Sequence, residues 1–116
     1  MDTLETVINN YLEYCNSQKC LDEKTLKAYR IDLRQFSEQI SIINITEITP
    51  KTLEQYIARL HEQYKPKTVK RKIASVKALF HYLEYNRVKD SILLCHLFHL
   101  LHILRGKLQH LKIAAL

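Results

Sequence analysis

A chain of 116 residues, 47% hydrophobic and 26% charged, is long enough for one packed domain and too apolar to be a disordered segment. One Gly and two Pro argue against a turn-rich β architecture and for long helices with short connections. A net charge of +6 makes acidic partners more natural than basic ones. The three cysteines, Cys15, Cys20 and Cys95, are odd in number and lack a CxxC spacing, which fits free thiols better than a disulfide framework. The stretch from Met1 to Tyr14 is acidic and amphipathic, unlike a signal peptide. The apolar run from Ile92 to Leu104 is interrupted by histidines and is too short to span a bilayer. These features lead us to expect a cytoplasmic protein with no membrane segment.

In chain order, the first predicted helix runs from about Thr3 to Ser17, with Leu4, Ile8, Tyr11 and Cys15 at helical spacing. Asp22 is a good N-cap for a second helix, whose apolar stripe is Leu26, Tyr29, Leu33, Phe36 and Ile40. Residues 41–49 are rich in β-branched side chains (Ile42, Ile43, Ile45, Thr46, Ile48). With no partner strand elsewhere, they read as an extended connection whose isoleucines plug the core. Thr49-Pro50 then opens a third helix, with Leu53, Tyr56, Ile57 and Leu60 inward. Lys65-Pro66 opens a fourth, reaching about Tyr85. Four helices with short links predict an all-α domain.

The fourth helix carries the charge. Residues 65–89 hold eight basic side chains and one acid, Glu84, so this segment at +7 exceeds the whole chain's +6. At about 100° per residue, Val69, Ile73, Val76, Phe80 and Leu83 share one side, while Lys67, Lys70, Arg71 and Lys77 surround Ala74 and Ala78 on the other. Small residues between cations suit a helix approaching a DNA groove wall. Pro66, Lys67 and Thr68 stand at a helix N-terminus, where free N–H groups favour phosphate. Arg71, with its planar fork, is the candidate for a base edge, and the lysines for the backbone. The second helix adds Lys24, Lys27 and Arg34 opposite its apolar stripe. A solvated lysine-rich surface with no partner is the plain alternative, but such helices normally interleave both signs.

The run from Thr25 to Phe36, with Thr25, Tyr29, Leu33 and Phe36 at their spacing, resembles the second helix of the N-terminal core-binding domain of phage-integrase-type tyrosine recombinases. The run from Lys67 to Leu83, with Thr68, Arg71-Lys72, Ser75 and Phe80-x-Tyr82-Leu83, is similar to that family's fourth helix. Ile48-Thr49-Pro50 followed by Tyr56 resembles its third-helix entry. The resemblance spans about residues 3–89. It implies a SAM-like four-helix bundle of two crossed helical hairpins that clamps one side of a double-stranded DNA site, with the second and fourth helices at the major groove. Carried over by position, Thr25, Lys27 and Tyr29 would meet DNA from the second helix, and Lys67, Thr68, Lys70, Arg71 and Lys77 from the fourth. Tyr29 also lies on the apolar stripe, so core packing is an equal reading of it.

The family's catalytic domain, with its Arg, Lys, His-x-x-Arg and nucleophilic Tyr, would follow this region, and none of the seven tyrosines stands in a matching context. The expectation is a truncated integrase that binds DNA and is not an enzyme, with no small-molecule substrate. Residues 1–89 would form the DNA-binding domain and 90–116 an atypical Leu/His-rich tail. In that tail Cys95, His96, His99 and His102 drift around a helix without a carboxylate to orient a ligand, so no metal or other cofactor is expected. The tail could be an extra helix that covers the bundle or pairs with another subunit, or the product of a shifted reading frame. The alternative function is accordingly a helical dimerisation module using the tail as a homo-oligomer interface. General RNA or nucleoid binding by charge alone is a third reading.

Overall fold

The computed structural model describes residues 3–19, 21–41, 44–86, 96 and 99–106. Their architecture is all-α: helices α1 (Leu4–Ser17), α2 (Glu23–Ile40), α3 (Pro50–Gln63) and α4 (Pro66–Asn86), with no strand among the described residues beyond an isolated bridge between Thr3 and Asn44. Three of the four starts are fixed by a side chain whose oxygen accepts a backbone N–H that the helix itself leaves unpaired. Thr3 accepts from Thr6 at 3.2 Å, Asp22 from Thr25 at 3.0 Å, and Thr49 from Thr52 at 3.2 Å. Pro50 occupies the first turn of α3, where a missing N–H costs nothing. The Thr25 hydroxyl, and then its backbone N–H, hold the Asp22 carboxyl below the usual carboxylate range.

The helices form two hairpins, α1–α2 and α3–α4, that meet through α2 and α4. Each of these two helices touches all three of the others. The apolar stripes read from the sequence are the ones that go inside. Leu4, Ile8, Tyr11 and Cys15 are buried from α1, Leu26, Leu33 and Phe36 from α2, Leu53, Tyr56, Ile57 and Leu60 from α3, and Val69, Ile73, Val76, Phe80 and Leu83 from α4. Tyr29 and Ile40 pack against this core from its edge. Phe36 joins the two hairpins, meeting the Tyr56 ring edge-on at 5.0 Å and Phe80 at 6.2 Å between centroids. A second aromatic group ties α1 to α2 and α4: Tyr11 lies 6.4 Å from Tyr29 and 5.1 Å from Tyr82, and Tyr14 lies 4.9 Å from Tyr82. Burial pushes the Tyr11 hydroxyl's pKa up.

The connection between α2 and α3 is not the extended segment that its β-branched composition suggests. Ser41 closes α2 in the left-handed region (φ 51°, ψ 33°), its N–H donating to the Ser37 carbonyl at 3.2 Å. Ile45–Glu47 then form a 3-10 turn, with the Glu47 N–H on the Asn44 carbonyl and the Asn44 amide donating to Glu47 Oε1, both at 3.0 Å. An isolated extended segment would leave its backbone groups without partners, whereas a turn satisfies them locally. Ile48 does plug the core, fully buried. The roles assigned to Ile42 and Ile43 lie outside the described residues.

Beyond α4, residue 96 and residues 99–106 are helical. Leu100, Leu101 and Leu104 are fully buried and belong to the same core as the four main helices. The extra C-terminal helix therefore covers the bundle. Ile31, 45% exposed, is the only large hydrophobic side chain among the described residues that faces water. No helix of the described residues is long and apolar enough to cross a membrane. Leu101→Ala is expected to lower the unfolding free energy by about 2–5 kcal/mol, the range for truncating a buried leucine, in urea denaturation of the full chain. A change within about 0.5 kcal/mol, typical of a surface position, would show that the helix does not pack there.

Candidate nucleic-acid interface

The face shared by α2 and α4 is built around a carboxylate with no access to solvent. Asp32 is fully buried, as is Lys72 at 2% exposure. Asp32 Oδ1 accepts from Lys72 Nζ at 3.0 Å and from Arg71 Nη2 at 3.0 Å. Its Oδ2 accepts from Arg71 Nε at 3.2 Å and from the Ser75 hydroxyl at 3.1 Å. Lys72 also donates to Gln35 Oε1 and sits 4.8 Å from the centroid of the Tyr64 ring. Its three protons thus meet a carboxylate, an amide and an aromatic face. A buried charge is tolerable only with this degree of compensation. Nearby, burial and then the Asp32 charge push the Tyr56 hydroxyl's pKa up.

Arg71 belongs partly to this network and partly to the surface. Its side chain is 54% exposed although two of its N–H groups are committed to Asp32. The fork edge formed by Nε and Nη2 is therefore occupied, and a base-edge contact would have to use the outer edge. Around it, Lys67, Thr68, Lys70, Arg71 and Ala74 line a shallow cleft on α4 that contains no acid. Lys67 and Lys70 are exposed and Thr68 is half-buried at the helix start.

The remaining candidates lie apart from this cleft. Lys77 is half-buried further along the same α4 stripe. Thr25 is engaged in capping α2. Tyr29 is half-buried against Tyr11, as its place on the apolar stripe allowed. Lys27 is exposed but opens on the groove between α1 and α2, which Glu13 and Glu23 also line. Asp32, Gln35, Lys72 and Ser75 are not among the site residues expected from the sequence, although Lys72 and Ser75 belong to the fourth-helix motif. A signal for them existed: Lys72 follows Val69 by three positions and precedes Val76 by four, so a lysine stands beside an apolar stripe, and Asp32 stands four positions before Phe36 on α2. A charged residue bordering each of two facing stripes is the mark of a buried ion pair.

The sequence profile of the phage integrase N-terminal SAM-like domain matches residues 8–86. The chain belongs to that family. The match takes in all of α2, α3 and α4, hence the Asp32 network and the α4 cleft, and ends before the C-terminal helix. The chain is 59% identical over 88 residues to a tyrosine recombinase of Agathobacter rectalis, covering 76% of this chain and 29% of that protein. It is 33% identical over 91 residues to tyrosine recombinase XerD of Listeria monocytogenes (72% and 30% covered). It is 30% identical over 84 residues to tyrosine recombinase XerC of Pseudomonas fluorescens (69% and 28% covered). The chain thus spans less than a third of the length of these relatives. No solved structure matches it significantly.

Within this integrase domain, the network makes its two buried charges, Asp32 and Lys72, unequal. Asp32→Asn leaves Lys72 buried without a counter-charge and is expected to cost about 3–5 kcal/mol. Lys72→Met keeps the apolar stem and leaves Asp32 paired with Arg71 and Ser75, so it should cost clearly less. Urea unfolding of the two variants checks the order, and equal costs would refute it.

Proposed function

We propose that this integrase-family domain binds double-stranded DNA, placing α4 and the adjoining face of α2 at the major groove, in site-specific recombination. The observation that carries the reading is the acid-free cleft of Lys67, Thr68, Lys70, Arg71 and Ala74 on α4. Lys67 and Lys70 would contact phosphates as exposed point charges, and Thr68 would add a hydroxyl beside the helix N-terminus. Arg71 would offer the outer edge of a guanidinium already oriented by Asp32. That anchoring favours recognition, because the side chain's freedom is spent in folding rather than in binding. Lys77 would extend the phosphate row, whereas Thr25, Lys27 and Tyr29 lie apart from it, Lys27 and Tyr29 toward α1. Family membership supports the reading: the relatives are named tyrosine recombinases.

By itself the matched domain would position DNA and leave strand cleavage to a catalytic domain. In this arrangement 1–89 would carry the DNA-binding face, and the helix at 99–106 would brace it through Leu100, Leu101 and Leu104. The dimerisation reading lacks comparable support, since Leu100, Leu101 and Leu104 are inside the chain's own core.

Binding of this kind depends on counterion release, and each lost phosphate contact flattens the salt dependence by about 0.9 in log–log slope. Lys67→Ala with Lys70→Ala is expected to reduce the slope for a mixed-sequence duplex by about 2, without loss of stability, since both side chains are exposed. Arg71→Ala should weaken binding and folding together. Fluorescence anisotropy across a salt series measures the first effect; wild-type affinity and slope in the double variant would refute the assigned face.

A further inference from the structure

The C-terminal helix lies outside the family match, which ends at residue 86, yet it adds a cation to the row on α4. Its position is fixed by the buried Leu100, Leu101 and Leu104, so the exposed residues between and after them hold defined places. Arg105 is one of these, and its Nη2 stands 3.4 Å from His81 Nε2. On α4, Lys70, Ala74, Lys77 and His81 follow one another at four, three and four residues, a single stripe. Lys70 to His81 is about 16 Å of helical rise, which puts Arg105 a turn beyond Lys77, alongside the same stripe.

Two further observations mark this arginine as available. Among the described residues its only recorded side-chain contact is a histidine ring, not a carboxylate. Exposed, and with no carboxylate partner among the described residues, Arg105 keeps most of its donors for an outside acceptor. The pKa of His81 is also lowered: burial and then the Arg105 charge push it down, Glu84 opposes them, and Lys77 adds a smaller push in the same downward direction. Arg105 and Lys77 thus act together at this end of α4, where Glu84 is the one acid in the segment from 65 to 89. The chemistry that would relieve a Lys–His–Arg grouping is a phosphate oxygen.

We propose that the C-terminal helix is part of the nucleic-acid face, with Arg105 making a backbone phosphate contact that continues the Lys67–Lys70–Lys77 row past His81. The inference rests on the reading of α4 as the duplex-binding face, and it goes beyond that reading by giving the tail a binding role as well as a bracing one.

The test uses the full chain and a mixed-sequence duplex, with Arg105→Ala, Arg105→Lys, and Lys67→Ala with Lys70→Ala compared in the same salt series. Arg105→Ala is expected to weaken binding several-fold at low salt and to flatten the slope by about 0.9, one contact. Arg105→Lys keeps the charge and should retain most of the affinity. Unchanged circular dichroism and melting in Arg105→Ala separate a lost contact from a displaced helix. If Arg105→Ala binds as wild type while the lysine pair loses slope, the tail contact is overturned and the α4 reading stands. If the lysine pair also binds as wild type, the duplex-binding reading falls and this inference falls with it.

Discussion

Asp32 has no solvent to share its charge with, so everything around it must be arranged to do so. Four donors from α4 converge on its two oxygens, and the carboxylate in turn fixes which residues of α2 and α4 face each other. A bundle held only by leucine and phenylalanine contacts can slide or rotate at modest cost, because apolar packing is tolerant of repacking. A buried carboxylate that must meet two cations and a hydroxyl tolerates far less. Phe36 and Phe80 meet between the hairpins, and Asp32 supplies the register of that contact.

That constraint also sorts the positive charge. Of the basic residues crowded into α4, Lys72 is internal, its charge answered by Asp32, Gln35 and Tyr64. Arg71 is half committed. Lys67 and Lys70 remain fully outside, beside a floor of Thr68 and Ala74. The surface of α4 therefore carries fewer cations than its sequence suggests, but better ordered ones. A guanidinium clamped at one edge loses less freedom on meeting a ligand than a lysine free at the end of four methylenes. The C-terminal helix is held in place by its leucines, so Arg105 reaches the same stripe from a different part of the chain.

Much of the fold was legible from local chemistry. Thr3, Asp22 and Thr49 cap helices because their short side chains reach a free N–H three residues on, a contact that needs no tertiary partner. The apolar stripes were readable because water excludes them whatever they pack against. The 41–49 connection was misread because β-branched composition describes a half-buried surface, not a backbone state. With no neighbouring strand, Asn44 and Glu47 close a turn on themselves. Within the site, Lys67, Thr68, Lys70 and Arg71 were found as neighbours because one helical turn brings them together. Lys27 and Tyr29 were grouped with them through their helix alone, and their surroundings turned out to be α1.

The sequence by itself determined the four helices, their inward faces, the concentration of charge on the fourth and, through its motifs, the family. These follow from interactions between residues a few positions apart, or from solvent exclusion. Only the tertiary structure decided which cations are outside. Asp32 and Lys72 are 40 residues apart, and whether a lysine is a surface charge or half of a buried pair depends on what another helix places opposite it. The same holds for the tail: a leucine-rich stretch reads alike as an interface or a cover, and only its packing against the bundle distinguishes the two.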